Sequence, residues 1–219
     1  MSKMEEMEEL KFLCVNSLEE RLKEAYKEIK NLKKENESLK KQAFRDSLTK
    51  LYNLNYYNKN IEDIFKESIE KKQKVGLYII DLNNLKYVND KFGHPEGDKF
   101  LKIFSDILRD SVRECDEVVR IGGDEFIVIT RNATPLTEQK MRERLNNGLN
   151  SYNTDSKKDI NYNMSISAGY ALINPLEKNA IESAFNIADQ KMYKEKHIFH
   201  IRNALINYCV KLSNSNINK

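Results

Sequence analysis

Two short runs of β-branched and aromatic residues flank a pair of glycines in the second half of the chain. The runs 118–121 and 126–129 enclose residues 122–125, which read Gly-Gly-Asp-Glu. Apolar runs separated by glycines are typical of a β-hairpin, because glycine adopts the backbone angles that a tight turn requires. Two adjacent carboxylates at such a tip suit a divalent cation better than a bare phosphate. The pattern therefore predicts a metal site at a hairpin tip, with a solvated Gly-Asp turn as the alternative.

A second acidic position lies at the end of an apolar run in the first half of the chain. Residues 76–80 predict a buried strand, and Asp81 follows them directly. Carboxylates at a strand end and at a neighbouring hairpin tip are what a two-metal phosphoryl-transfer site needs, since the metal must keep open positions for phosphate. Lys86 lies nearby and could reach phosphate groups as a point charge. We therefore expect Asp81, Lys86 and residues 124–125 to form one site.

These segments resemble the GGDEF-domain diguanylate cyclases, a family that condenses two GTP molecules into cyclic di-GMP. The resemblance covers about residues 44–203. It is carried by five ordered blocks, which are residues 46–53, 81–98, 120–126, 167–169 and 188–196. The resemblance implies the fold class of that family, an α/β (α+β) sandwich with a palm-like nucleotidyl-cyclase core.

The resemblance also implies the catalytic and metal-binding residues. The metal ligands would be Asp81, the main-chain carbonyl of Leu82, and the carboxylates of Asp124 and Glu125. Asp124 would also accept the proton of the attacking 3′-hydroxyl, although the sequence does not separate its role from that of Glu125. Lys86 would stabilise the charge of the triphosphate in the transition state. The implied cofactor is Mg²⁺, two ions per active site, with Mn²⁺ as an alternative.

Four further residues match positions at which the family binds substrate. Asn89 and Asp98 match the positions that read guanine. A carboxylate accepts from the N1–H and 2-amino edge of guanine, and an amide can serve its O6 and N3. Lys196 and His200 match positions near the triphosphate.

Several positions depart from the family pattern, and two of them bear on the expected site. Asn83 stands where many members carry a second acid, which is not an essential ligand in the family's scheme. His200 stands where the family usually has an arginine that touches phosphate, and Arg202 is a candidate substitute. The GTP affinity is therefore open, as is its pH dependence if His200 makes the contact.

Arg113 and Asp116 form an R-x-x-D motif shortly before Gly122. This offset resembles the product-inhibition site of the family, where an arginine fork could recognise the Hoogsteen edge of guanine. The alternative is an ordinary surface ion pair.

The N-terminal part of the chain repeats every seven residues. Val15, Leu22, Ile29, Asn36 and Ala43 share one heptad position, and Leu18, Ala25, Leu32 and Leu39 share the other. This spacing predicts a coiled coil from about residue 15, which would join two copies in parallel. The alternative is a single amphipathic helix packed on its own domain. We expect an N-terminal helix over 1–43, the cyclase domain over 44–203 and a polar, frayed tail over 204–219.

Composition excludes several classes of protein. The chain has 37 Lys and Arg against 34 Asp and Glu, and this net charge of +3 gives no case for nucleic acid or an anionic membrane. No apolar run is long enough to span a bilayer, and the N-terminus lacks the apolar segment of a signal peptide. The 3 cysteines are far apart and indicate reduced thiols. We therefore expect a cytoplasmic protein.

The periodicity outside these motifs alternates between helix and strand. It predicts helices over 56–72, 97–113, 135–149 and 181–196, a strand over 75–80, and a half-buried strand at Met164, Ile166, Ala168 and Tyr170. The order β-α-β-β-α-β indicates a mostly antiparallel central sheet.

The function that we expect is a homodimeric, Mg²⁺-dependent diguanylate cyclase. Three alternatives remain. The chain could be a catalytically weak receptor for GTP or cyclic di-GMP, a cyclase of mixed specificity that makes cyclic GMP-AMP, or an interaction protein whose coiled coil is its function.

Overall fold

The computed structural model describes residues 3–155, 162–173, 177 and 179–217. The chain divides into two units, Met1–Phe44 and Arg45–Lys219. The first unit is one helix, α1 (Lys3–Phe44), which confirms the predicted N-terminal helix. Residues 16–40 of this helix are exposed throughout, including the leucines of the heptad repeat. The pairing of this helix with a second copy stays a prediction.

The second unit is a five-stranded sheet with helices on both faces. The strands are β1 (Tyr52–Asn53), β2 (Val75–Leu82), β3 (Glu117–Arg120), β4 (Glu125–Thr130) and β5 (Ile166–Ile173). The helices are α2 (Leu54–Glu70), α3 (Leu85–Phe92), α4 (His94–Ser111), α5 (Thr137–Thr154) and α6 (Ala180–Ile217).

The strands are arranged in the order β1-β3-β4-β2-β5. Strands β3 and β4 form the predicted hairpin, and β2 pairs antiparallel with both β4 and β5. Only the pairing of the two-residue strand β1 with β3 is parallel within the described residues. The prediction of a mostly antiparallel α+β sheet is therefore confirmed.

Two apolar cores lie on the two faces of the sheet, because successive side chains of a strand point to opposite faces. On one face, Tyr78 and Ile80 of β2 pack with residues of α4 and α5, among them Phe104. On the other face, Leu77 and Ile79 pack with residues of α2 and α6. All eight residues of β2 are buried as a result.

The prediction of a half-buried strand from Met164 was wrong in two respects. The strand β5 begins at Ile166, and most of its residues are buried on both faces of the sheet. The reason is that helices cover both faces, so alternating burial is lost. Gly169 allows α6 to pack this closely, since an added Cβ would overlap the Ala188 carbonyl oxygen and lie 2.8 Å from the Lys191 Cβ.

The C-terminal boundary also differs from the prediction. We expected the last helix to end near Lys196 and a polar tail over 204–219, but α6 continues to Ile217. Residues 180–217 contain neither glycine nor proline, so the sequence supplies no helix breaker. Across the described residues, none of the helices combines the length and apolar character needed to traverse a lipid bilayer.

Candidate functional site

The end of the central strand β2 brings three carboxylates together. Asp81, near the end of β2, is opposite Glu125 in the antiparallel register with β4. Residues directly opposite each other project from the same face of a sheet, so these two acids face the side that α6 covers. The Leu82 N–H donates to the Asp124 carbonyl oxygen at 2.9 Å and holds the hairpin tip against the strand end. The residues predicted as metal ligands therefore meet at one edge.

Asp81 is the buried member of this group, with 1% of its surface exposed. Its Oδ2 accepts a hydrogen bond from the Lys196 Nζ at 2.5 Å, whereas its Oδ1 has no partner within the described residues. Burial raises the pKa of Asp81, the hydrogen bond with Lys196 opposes this rise, and the negative charge of Asp124 adds to it. A buried, partnerless carboxylate oxygen is costly unless a cation satisfies it.

Lys196 reaches this edge from α6. Burial by itself lowers the pKa of its ammonium group, but the hydrogen bond to Asp81 and the charges of Asp81, Asp124 and Glu125 outweigh burial and raise it. Lys196 is therefore a fixed positive charge beside the acids.

The hairpin tip presents its two acids differently. Asp124 is half-buried, whereas Glu125 is exposed. The Glu125 carboxylate lies over Gly122, where an added Cβ would come within 2.8 Å of Oε2. The first glycine of the pair thus leaves room for this carboxylate.

Arg120 holds the hairpin tip in shape, a role that the sequence did not reveal. Its guanidinium donates to the carbonyl oxygens of Gly122 at 3.1 Å and Gly123 at 2.8 Å, and to Asp46 Oδ1 at 3.0 Å. Asp46 Oδ1 also accepts from the Thr49 N–H and hydroxyl, which closes the turn that follows α1. The start of the domain is thereby tied to the hairpin tip. The only sequence signal was an arginine two residues before the glycine pair.

Asn83 is a second contributor that sequence reasoning set aside. It is buried, and its Oδ1 accepts from the Ser167 hydroxyl at 2.9 Å while its Nδ2 donates to the Ser165 hydroxyl at 3.3 Å. Asn83 therefore fixes the end of β2 against β5. A neutral amide does this without placing another buried charge near Asp81.

Helix α3 begins directly after this strand end. Asn84, before its first residue, has a left-handed backbone conformation with φ of 63°. The N–H groups in the first turn of a helix have no partner within the helix, and together with the helix dipole they favour anions. Lys86 lies in this first turn and is exposed. The start of α3 thus adds positive potential next to the carboxylates.

The two residues predicted to read guanine lie on adjacent helices. Asn89 is on α3, and Asp98 is exposed near the start of α4. The Asn89 side chain packs over Gly97, where an added Cβ would overlap Oδ1 and lie 2.8 Å from Cγ. Gly97 therefore leaves room for the amide against the first turn of α4, a requirement that sequence reasoning missed.

His200 follows Lys196 by one helical turn on α6, and it is exposed. The two residues share one face of the helix, and the charge of His200 opposes the rise in the pKa of Asp81. Arg202 is rotated by about 200° from His200, since each residue of an α-helix turns by about 100°. Arg202 therefore lies on a different side of α6 from His200, and its use in place of the family's arginine stays a prediction.

Arg113 and Asp116 lie apart from this edge and contact each other. Arg113 donates from Nε and from a terminal nitrogen to the two Asp116 oxygens, at 3.0 and 2.8 Å, and also to the Arg131 carbonyl oxygen. The Asp116 carboxylate is buried. The pair lines a cavity of about 310 Å³ whose wall also contains Arg45 and Arg109. The motif thus anchors a loop and still presents positive charge to a cavity.

The donor set at the strand end fits a hard divalent cation. Within the described residues, no group of three or more His, Cys, Asp and Glu side chains is placed to hold a metal by itself. Mg²⁺ is usually bound by one or two carboxylates together with substrate phosphates, so a cluster of three is not required. The partnerless Oδ1 of Asp81 next to Asp124 is the feature that such an ion would satisfy.

Comparison with known proteins agrees with this geometry. The family model described as "Diguanylate cyclase, GGDEF domain" matches residues 43–200, which is more than half of the chain. The chain belongs to the GGDEF family. The GGDEF domain thus accounts for the sheet, for the carboxylates at its edge and for α6 as far as His200.

Two curated relatives of this GGDEF chain are named diguanylate cyclases. Diguanylate cyclase DgcS of Shewanella oneidensis is 46% identical over 90 residues, which is 41% of this chain and 30% of the relative. Diguanylate cyclase DgcP of Escherichia coli is 32% identical over 168 residues, which is 77% of this chain and 49% of the relative. The chain therefore spans less than half the length of these two proteins.

Solved GGDEF structures share the fold. The coiled coil and GGDEF domain of DgcB from Caulobacter crescentus, solved with cyclic di-GMP, has a TM-score of 0.70 at 22% identity. This match covers 83% of this chain and 95% of the other. The GGDEF domain of TpbB (YfiN) from Pseudomonas aeruginosa has a TM-score of 0.62 at 27% identity, covering 70% and 88% of the two chains.

Proposed function

We propose that this chain is an active, Mg²⁺-dependent diguanylate cyclase that converts two GTP molecules into cyclic di-GMP and pyrophosphate as a homodimer. The observation that carries the proposal is the buried Asp81 carboxylate with one partnerless oxygen, next to Asp124 and Lys196. A bound divalent cation would satisfy that oxygen. Family membership and the named relatives support the same chemistry.

The metal would be held by Asp81, Asp124, the Leu82 carbonyl and Glu125. When bound, Mg²⁺ neutralises charge on the triphosphate and polarises the phosphoryl oxygens. Lys196 stands beside the acids as a fixed cation, and the first turn of α3 adds the N–H groups that favour phosphate. Phosphoryl transfer depends mainly on positioning the substrates and on stabilising their charge, so these few protein groups would be sufficient for the reaction.

The base would be read by Asn89 and Asp98. The Asn89 amide packs against Gly97, the residue before Asp98, which supports a joint role for the two side chains. That combination matches guanine, whose N1–H and 2-amino group donate to a carboxylate. Adenine lacks the N1–H donor, so Asp98 would be left unpaired with ATP at a cost of about 1–3 kcal/mol. This favours cyclic di-GMP over the mixed cyclic GMP-AMP alternative.

The reaction itself explains why two copies are required. The 3′-oxygen of one GTP attacks the α-phosphorus of the other, the bond to the pyrophosphate leaving group breaks, and the proton of the hydroxyl passes to Asp124 or Glu125. The 3′-oxygen of the second GTP then attacks the α-phosphorus of the first in the same way, which releases the second pyrophosphate and closes the ring. We propose that each copy binds one GTP and that the exposed heptad stripe of α1 brings two copies together.

Product would bind away from this edge, in the cavity lined by Arg113 and Asp116. The surrounding Arg45 and Arg109 make this cavity suitable for an anionic ligand such as a cyclic dinucleotide. Binding there would hold the domains in a non-productive arrangement, so cyclic di-GMP would inhibit without competing with GTP.

The experiment that tests the proposal measures the product of the full chain. Purified protein is incubated with GTP and Mg²⁺, and the dinucleotide is identified by mass spectrometry. Asp124→Asn should lower turnover at least about 100-fold, because a metal ligand and proton acceptor is lost. Asp106→Asn is the matched control, since Asp106 is an exposed acid of α4 paired with Arg109.

Two outcomes would contradict the proposal. If the wild-type protein binds GTP but releases neither pyrophosphate nor cyclic di-GMP, the chain is a nucleotide receptor. If Asp124→Asn retains the wild-type rate and melting temperature, the carboxylates at this edge do not carry the chemistry.

A further inference from the structure

The strand β5 is at the end of the sheet, so one side of its main chain has no neighbouring strand within the described residues. Main-chain groups on such an edge need other hydrogen-bond partners when side chains cover them. At Ala168 the N–H donates to the Glu195 Oε2 at 2.9 Å, and the carbonyl oxygen accepts from the Arg142 guanidinium at 3.1 Å. Two residues further along the strand, the Tyr170 carbonyl oxygen accepts from the Lys191 Nζ at 2.7 Å. Side chains of two helices thus take the place of a sixth strand.

The side chains that cover this edge also bind each other. Arg142 belongs to α5 and Glu195 to α6, and they form an ion pair with a distance of 3.0 Å between the Arg142 terminal nitrogen and the Glu195 Oε1. Arg142 and Glu195 therefore each contact the other and the same residue of β5. We name Arg142, Lys191 and Glu195 the edge clamp.

The edge clamp is specific for one register of α6 along β5. Lys191 and Glu195 are four residues apart, which is about 6 Å along a helix, and two residues of a strand span about 6.7 Å. The two side chains can therefore reach two alternate strand residues at once. A shift by one helical turn would place the Lys191 ammonium group opposite the Ala168 N–H, and an ammonium group has no acceptor for that hydrogen.

This register determines where the next residue of α6 points. Lys196 follows Glu195 with a rotation of about 100°, so it faces the sheet beside the edge and reaches Asp81 on the neighbouring strand β2. Asp81 is opposite Ser167 in the pairing of β2 with β5, which is one residue from the clamped Ala168. A lysine side chain by itself has many rotamers, so the location of its ammonium group depends on how firmly its backbone is held.

We propose that the edge clamp positions Lys196 for the cyclase reaction. Arg142, Lys191 and Glu195 fix α6 along the open edge of β5 and thereby hold the Lys196 ammonium group beside Asp81. They touch neither substrate nor metal, so they are positioning residues. The inference rests on the proposed function in one respect, which is the role of Lys196 towards the triphosphate. The alternative is that the clamp only covers the open edge and stabilises the fold.

The first test needs no nucleotide and measures how fast acetic anhydride labels individual lysines, which are identified by mass spectrometry. Lys196 should react slowly in the wild-type protein, because Asp81 holds its ammonium group. Glu195→Ala should raise the Lys196 rate at least about threefold and leave that of the exposed Lys194 unchanged. Glu195→Gln should keep the wild-type rate, since its amide oxygen still accepts from the Ala168 N–H. Equal Lys196 rates in all three proteins would overturn the proposal, as would equal rises in the two variants.

The second test measures binding of a GTP analogue with a methylene group between the α- and β-phosphates, which the protein cannot cleave, in the presence of Mg²⁺. Lys196→Met should weaken binding at least about tenfold, because a charge-assisted contact with phosphate is lost. Glu195→Ala should weaken binding at least about threefold, but the double variant should bind like Lys196→Met alone. Glu182→Ala, at an exposed glutamate of the same helix, is the matched control and should leave the affinity within about twofold of wild type.

A clamp that only stabilises the fold predicts different results. Glu195→Ala would then weaken binding by the same factor with and without Lys196→Met, and this outcome would overturn the proposal. Thermal melts of the same samples show which variants are folded. If Glu195→Ala does not fold, Arg142→Gln replaces it in both tests with the same expected direction. A protein whose Lys196 labelling responds to the clamp variants but which makes no cyclic di-GMP would refute only the proposed function.

Discussion

The substitution Gly97→Ala should weaken GTP binding without harming the fold. The new methyl group would overlap the Asn89 Oδ1, which is the end of a side chain and can move while the backbone stays in place. Alanine is favoured over glycine within a helix by up to about 1 kcal/mol, so the melting temperature should hold or rise. The displaced amide would lose its proposed hydrogen bond to the base, at a cost of about 1–2 kcal/mol, which corresponds to a KM about 5- to 30-fold higher.

Initial rates at varied GTP and thermal melts of the same samples test this prediction. A change in KM at constant kcat is expected, because a contact to the base, away from the reacting atoms, would stabilise the ground state and the transition state equally. Asn89→Ala and the double variant complete a thermodynamic cycle. If Gly97→Ala acts by displacing the amide, the double variant should have the KM of Asn89→Ala alone. A KM within twofold of wild type, or effects that add in the double variant, would refute the assignment of Asn89.

Four further predictions concern residues outside the base site. Arg120→Ala should lower turnover at least about tenfold. A double-mutant cycle of Arg120→Ala with Asp46→Asn, measured by thermal melts, should give a coupling free energy of about 1–2 kcal/mol, because the pair is largely shielded from solvent. Additive effects of the two substitutions on stability would refute this. Burial alone would raise the pKa of Asp46, but bonds from Thr49 and Arg120 lower it below 3.8, so its contribution to stability should be lost as the pH falls below that value. Arg113→Lys should raise the inhibition constant of cyclic di-GMP at least about tenfold in rate assays, because lysine lacks the arginine fork, and an unchanged constant would exclude the site. Deleting residues 1–40 should make specific activity rise steeply with protein concentration in a dilution series, and full activity of nanomolar monomer would contradict the dimer mechanism.

The hairpin and the central strand were predictable from local pattern. Gly122 and Gly123 between two apolar runs define a turn. An acidic residue that directly follows an apolar run marks the end of a buried strand. The family resemblance then supplied roles for Asp81 and Asp124. The structure brings these acids to one edge, while their catalytic roles remain predictions.

The contacts that support the site were not predictable, because they join segments far apart in the sequence. Arg120 and Asp46 meet across 74 positions, and Asn83 and Ser167 across 84. Nothing in a short window indicates which distant oxygen a guanidinium or an amide will reach.

The sequence by itself determined the alternation of helices and strands, the hairpin with its two acids and the heptad stripe of α1, since each depends on residues close together in the chain. The tertiary structure alone decided the burial, the charged neighbours and the hydrogen bonds of the individual side chains. Packing of α6 on the sheet buries Asp81 and brings Lys196 to it, which leaves one carboxylate oxygen without a partner in the described part of the chain. Burial, charge proximity and hydrogen-bond satisfaction depend on which elements pack together, and only the folded chain defines that arrangement.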